Sequence, residues 1–156
     1  MKLKFSIIQT KQEKKLLVTF RGSVNVDDWV NSDRAILLGG FTDTRRYKDS
    51  KHKLHEAKQK YNLNGATLFG HSLGGSLASS VGDNNDDIYT FNKGNGALFN
   101  HNTQNKNNEH AYRWNGDVVS VGSYLNKNKS KTLGYQKKNI VLHHDIKNIK
   151  DSNILI

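Results

Sequence analysis

The run Gly70-His71-Ser72-Leu73-Gly74-Gly75 has the residue types and spacing for covalent chemistry. A serine hydroxyl is a weak nucleophile and must be lifted clear of the backbone toward a base. A sharp strand-to-helix turn does this, provided the residues on both sides lack bulk, and Gly70 and Gly74 supply that. His71 lies inside the turn and points elsewhere if Ser72 is presented. The helix that follows sets the positive end of its dipole where negative charge would develop. The backbone N–H of Leu73, just after the nucleophile, is the first expected oxyanion donor.

Such a turn needs a buried strand before it and a helix after it. Residues 66–70 form a short apolar run, and residues 73–81 are rich in small residues at helical spacing. Upstream, residues 5–10 and 16–20 read as two strands, and 45–61 as an amphipathic helix with Tyr47, Leu54, Ala57 and Tyr61 on one face. Residues 62–65 end that helix, with Gly65 as the turn residue. Downstream, residues 88–91, 111–114, 118–121 and 139–142 read as strands. Residues 92–110 read as a long Asn-rich loop and 126–131 as a solvated turn. Strands alternating with helices predict an α/β fold with a mostly parallel sheet, in one domain spanning 1–156.

The formal net charge is +10, from 24 Lys+Arg against 14 Asp+Glu. That balance favours anionic partners such as an acidic membrane surface or nucleic acid. The lysines are scattered and no nucleic-acid-binding motif accompanies them, which favours a plain soluble basic surface with no dedicated partner. There is no Cys, hence neither disulfide nor thiolate ligand. The first ten residues hold too short an apolar run for a secretory signal, and no stretch approaches the roughly eighteen apolar residues of a membrane span. The chain as given is therefore expected to be cytoplasmic by default.

Phe20-Arg21-Gly22-Ser23, Asp28-Trp29, the Gly70–Gly75 run, Tyr89-Thr90-Phe91, Tyr112-Arg113, Gly116-Asp117-Val118-Val119 and His144-Asp145-Ile146 occur in the order found in the class 3 lipases. The chain resembles this fungal-lipase-like branch of the α/β-hydrolases from Leu16 to Ile149. The resemblance implies a compact, trimmed α/β-hydrolase with helices flanking its sheet. It also implies hydrolysis of carboxylic esters of lipids without metal or cofactor. The stretch Phe91-Asn92-Lys93-Gly94 departs from the family, which has Gly and Pro after Thr-Phe.

In α/β-hydrolases the acid and then the histidine follow the serine. Asp83, Asp86 and Asp87 share one turn and read as solvated, and Glu109, Asp145 and Asp151 are further acids. Asp117 matches the family's acid position, although Asn115-Gly116-Asp117 also suits a simple turn. Among the seven histidines, His52 and His55 lie off the apolar face of their helix, and His101 and His110 fall in the Asn-rich loop. His143 and His144 stand where the order rule wants the base. The pattern around the family's catalytic histidine matches His144, with His143 as the alternative. Ser23 carries over as the second oxyanion residue, its other reading being a helix cap. Residues 24–30, with Trp29, would form a short polar lid, or Trp29 would be core. The expected partner is a lipid or small-ester substrate, with peripheral contact to anionic membrane as a variant. The expected activity is that of a triacylglycerol lipase or esterase acting through Ser72, Asp117 and His144, with a phospholipase of anionic membranes or a silent binding module on the same fold as the alternatives.

Overall fold

The computed structural model describes residues 4–9, 14–22, 45–94, 108–115 and 131–135. Within them the chain runs β1 (Lys4–Gln9), β2 (Lys14–Phe20), α1 (Arg45–Tyr61), β3 (Thr67–His71), α2 (Leu73–Val81), β4 (Asp87–Phe91), β5 (Glu109–Asn115) and β6 (Lys131–Tyr135). The sheet has six strands in sequential order. β1 pairs antiparallel with β2, and β2 through β6 are all parallel. The expected α/β architecture is therefore present.

Parallel strands joined in one direction by right-handed crossovers put their helices on one face of the sheet. α1 and α2 pack against each other accordingly. Alternation decides which strand residues meet them. Leu16, Val18 and Phe20 of β2, Leu68 of β3 and Ile88 of β4 are buried in one cluster with Leu54 of α1 and Leu73, Leu77, Ala78 and Val81 of α2. The register sets Val18 beside Leu68 and Leu68 beside Ile88. The opposite face carries rows of rings across neighbouring strands. Phe69 stacks on Tyr89 at 5.4 Å and Tyr89 on His110 at 4.8 Å, while Phe91 stacks on Tyr112 at 5.3 Å.

α1 spans the residues its sequence pattern predicts, but its last apolar-face residue, Tyr61, is not buried. Leu54 is buried, and Tyr47 and Ala57 pack on the core from its edge. The helix stops because Asn62 takes a left-handed conformation, φ 53°. The Asn62 N–H then donates to Gln59 O and the Leu63 N–H to Lys58 O, closing a Schellman turn that lays Leu63 on the core. The left-handed residue is thus Asn62 and not Gly65.

Three sequence expectations need correction. The turn at 83–87 is not uniformly solvated, because Asp86 is 1% exposed. Its Oδ1 accepts from the Ala66 N–H at 2.8 Å and lies 2.7 Å from Lys58 Nζ, while its Oδ2 accepts from the Asp83 N–H. His110 belongs to β5 and not to a loop, because β5 begins at Glu109. Lys131 opens β6, a strand that the sequence pattern did not reveal. The expected strands at 118–121 and 139–142 lie outside the described residues.

Lys58 reaches from α1 to both Asp83 (2.9 Å) and Asp86, locking the helix to the turn that feeds β4. Burial alone would lower its pKa, but hydrogen bonds and charge from Asp86 and Asp83 outweigh this and hold it above the ordinary 10.5. A folded-state pKa above the unfolded one gives stability that is whole below pH 10.5 and lost as pH climbs through the raised value. Lys58→Met would strand the Asp86 carboxylate, and chemical denaturation at neutral pH should register a loss of about 3 kcal/mol. Above pH 10.5 the gap between wild type and this variant should narrow.

Candidate active site

The C-terminal ends of parallel strands gather at one edge of the sheet, and sites in such folds form there. Ser72 stands at that edge, between the last residue of β3 and the first of α2. Its backbone sits at φ 56°, ψ −128°, a conformation that costs a residue with a side chain about 1–3 kcal/mol. The surroundings hold it there. The Ser72 N–H donates to Phe91 O at 3.0 Å, and Ser72 O accepts from the N–H groups of Gly75 (2.9 Å), Ser76 (3.2 Å) and Gly94 (3.3 Å). Residue 72 as a whole is 6% exposed.

The glycines make the turn sterically feasible. A Cβ on Gly70 would strike the backbone of Gly74 and Gly75, and one on Gly74 would strike the backbone of Phe20, Arg21 and Gly22. A Cβ on Gly22 would lie 2.8 Å from His71 O and 3.4 Å from the Ser72 Cβ. The strand end Phe20-Arg21-Gly22 is therefore pressed against the serine turn. The Arg46 guanidinium fixes it from α1, donating to Arg21 O at 2.5 Å. The residue that leaves this contact is Ser23, which lies outside the described residues.

At the start of α2, the N–H groups of the first turn have no carbonyl within the helix to meet. Leu73 is at that position, next to Ser72, and is fully buried. His71 closes β3, with its side chain part-buried. Asp117 comes two residues after β5 ends at Asn115, and His143 and His144 follow β6. All three lie outside the described residues, as does Trp29. Of the sequence-predicted site, the structure brings together Gly70, His71, Ser72, Leu73 and Gly74. His52 and His55 are exposed on α1, as expected. Among the described residues no cluster of His, Cys, Asp or Glu could hold a metal ion, and no helix is long and apolar enough to cross a membrane.

Beneath the turn lies a set of buried polar residues that the sequence did not single out. Lys93, 4% exposed, pairs with Glu109 at 2.7 Å, and the Glu109 side chain is fully buried. Glu109 also accepts from Ser79 Oγ at 2.7 Å and Thr90 Oγ1 at 2.9 Å. Asn92 sits at φ 42°, where the class 3 pattern has a glycine, and its Oδ1 accepts from the Trp114 N–H. Asparagine is among the side chains that best tolerate this left-handed region, so the residue fits the backbone it takes here.

A parallel sheet carrying a strained serine between strand and helix, with glycines at each crossing, defines an α/β protein of the serine-elbow type. Residues 3–148 match a family model described as the Tle-like phospholipase domain, and the chain belongs to this phospholipase-like family. No curated protein and no solved structure matches the chain. Membership supports lipid-ester hydrolysis by an esterase-type enzyme and places the chain in a lipase or phospholipase family, without singling out the class 3 branch.

The strain at Ser72 has a measurable consequence. Ser72→Gly should unfold at a higher denaturant midpoint, with about 1 kcal/mol recovered, because glycine adopts φ 56° without penalty. Gly74→Ala meets backbone that cannot yield and should cost about 3 kcal/mol or more in the same assay, whereas Gly75→Ala, whose Cβ would find 3.2–3.4 Å, should cost about 1 kcal/mol.

Proposed function

We propose that the chain is a serine phospholipase that cleaves a carboxylic ester bond of a phospholipid through Ser72, Asp117 and His144. The observation that carries this reading is the strained, glycine-flanked serine at the carboxyl edge of the sheet, in a chain of the phospholipase-like family. A neutral triacylglycerol is the second substrate class, favoured by the resemblance of Phe20–Ser23 and Gly70–Gly75 to the class 3 lipases. The net charge of +10 favours the phospholipid, since it would draw the protein to an anionic bilayer.

In this mechanism His144 takes the Ser72 proton while Oγ attacks the ester carbonyl carbon. The oxyanion is held by the N–H of Leu73 and by Ser23. Asp117 keeps the imidazole oriented and balances its positive charge. Collapse of the tetrahedral intermediate breaks the ester C–O bond, and the alcohol half, a lysophospholipid, leaves with the proton from His144. Water then attacks the acyl-serine by the same route and releases the fatty acid. The route draws on side chains and backbone alone. Strand order supports the acid's part in it: β5 runs parallel to β3 through β4 and ends at Asn115 on the edge that holds Ser72, two residues before Asp117 in the sequence.

The test is release of fatty acid from phospholipid vesicles containing phosphatidylglycerol, followed by mass spectrometry. Wild type should hydrolyse them, and Ser72→Ala should fall by about a thousandfold or more. His144→Ala should be as inactive as Ser72→Ala and His143→Ala should keep most activity. Full activity in Ser72→Ala would refute the nucleophile. Hydrolysis of triolein emulsion but not of vesicles would select the neutral-lipid reading.

A further inference from the structure

α2 carries Ser72 at its N-terminus, and every residue of the helix except Ser80 is buried. Ser76 is 2% exposed and Ser79 is fully buried. Buried hydroxyls need partners, and the partners here come from the chain beyond β4. Ser76 Oγ donates to Gly94 O at 2.5 Å, and the Gly94 N–H returns a bond to Ser72 O. Ser79 Oγ donates to Glu109 Oε2, and Lys93 Nζ reaches Ser79 Oγ at 3.3 Å and Glu109 Oε1 at 2.7 Å. The path of Lys93 is set by Gly75, whose missing Cβ would lie 3.4 Å from both Cα and Cβ of Lys93. The second glycine of the Gly74-Gly75 pair thus lets the lysine backbone lie against the first turn of the nucleophile helix.

Burying such an ion pair is expensive. Packed apolar residues of similar volume commonly serve stability as well or better, so stability alone does not account for it. What the pair adds is direction. Apolar contacts on the Leu73, Leu77 and Val81 side let a helix slide, whereas the bonds from Ser72, Ser76 and Ser79 to Gly94, Lys93 and Glu109 fix its rotation and its distance from β4 and β5.

We infer that the buried Lys93–Glu109 pair is a positioning device for the nucleophile, fixing α2 and hence the Ser72 hydroxyl relative to its base and the oxyanion donors. This rests on Ser72 being the nucleophile. Neither residue touches substrate. A displacement of the order of an ångström at the reacting atoms costs about a hundredfold in rate, so loosening this bracket should act on turnover and not on substrate affinity.

The experiment compares wild type, the double variant Lys93→Met/Glu109→Leu, Ser76→Ala, Ser79→Ala and Ser72→Ala on one soluble short-chain ester, with kcat, KM and Tm measured for each. The double variant should fold with a Tm at or above wild type, lose about ten- to a hundredfold in kcat, and keep KM within about twofold. Ser76→Ala cuts a tie to Gly94 while sparing the ion pair, and should lose less in kcat than the double variant, with KM unchanged. If the double variant does not fold, Ser79→Ala, which cuts the bonds from α2 to Glu109 and Lys93, decides in its place and should lose about three- to tenfold in kcat with KM unchanged. Full kcat in the folded double variant or in Ser79→Ala, with Ser72→Ala inactive, would overturn the positioning role alone. Turnover surviving in Ser72→Ala would overturn the nucleophile and the inference with it.

Discussion

The structure depends on a close crossing of three backbone segments at the carboxyl edge of the sheet. Gly22 lies against His71 and Ser72, Gly74 against Phe20, Arg21 and Gly22, and Gly70 against Gly74 and Gly75. Main chain touches main chain at each crossing, so no side-chain adjustment could make room for a Cβ. The turn forced by this crossing leaves Ser72 at φ 56°, and the strain is sustained because the Ser72 N–H and C=O are both saturated by neighbours from β4, α2 and the loop after β4. The same crossing places the end of β2 beside the serine. This is how two sequence segments fifty residues apart, around 22 and around 72, come into contact.

The rest of the fold supports that crossing. Three parallel strands share the register Phe20–Gly70–Thr90, so the ends of β2, β3 and β4 come level. Apolar burial against Leu54, Leu73 and Leu77 supplies the cohesion, and two buried lysines supply the fixed points. Lys58 ties α1 to the turn before β4, and Lys93 ties the loop after β4 to β5. Each cation spans elements that apolar contacts alone would leave free to shift.

The elements legible in the sequence were those with a local signature. α1 has a 3.6-residue pattern and a stop at Asn62, and it spans the residues that pattern predicts. β2, β3 and β4 are short apolar runs beside charged or Gly-rich turns. The glycine-flanked serine was legible because its requirement is steric and local. What was missed depends on partners distant in sequence. Glu109 sits in a polar run and becomes a buried charge only once parallel pairing sets it beside Ile88. Asp86 looks solvated within Asp83-Asn84-Asn85-Asp86-Asp87, yet it is the member of that turn that caps Ala66 and meets Lys58. β6 reads Lys-Thr-Leu-Gly-Tyr, too short and mixed to alternate, and exists because β5 offers it an edge. The two proposed oxyanion donors divide the same way: Leu73 is proposed from the turn itself, and Ser23 from likeness to the class 3 lipases.

The most direct measurement is the site of attachment of a fluorophosphonate, which bonds only to a serine whose hydroxyl is activated. After incubation of the folded protein with the probe, digestion and tandem mass spectrometry should place a single adduct on Ser72, with none after denaturation before labelling. An adduct on another residue, or a folded protein that takes up no probe, would contradict the claim that this strained turn presents a reactive serine.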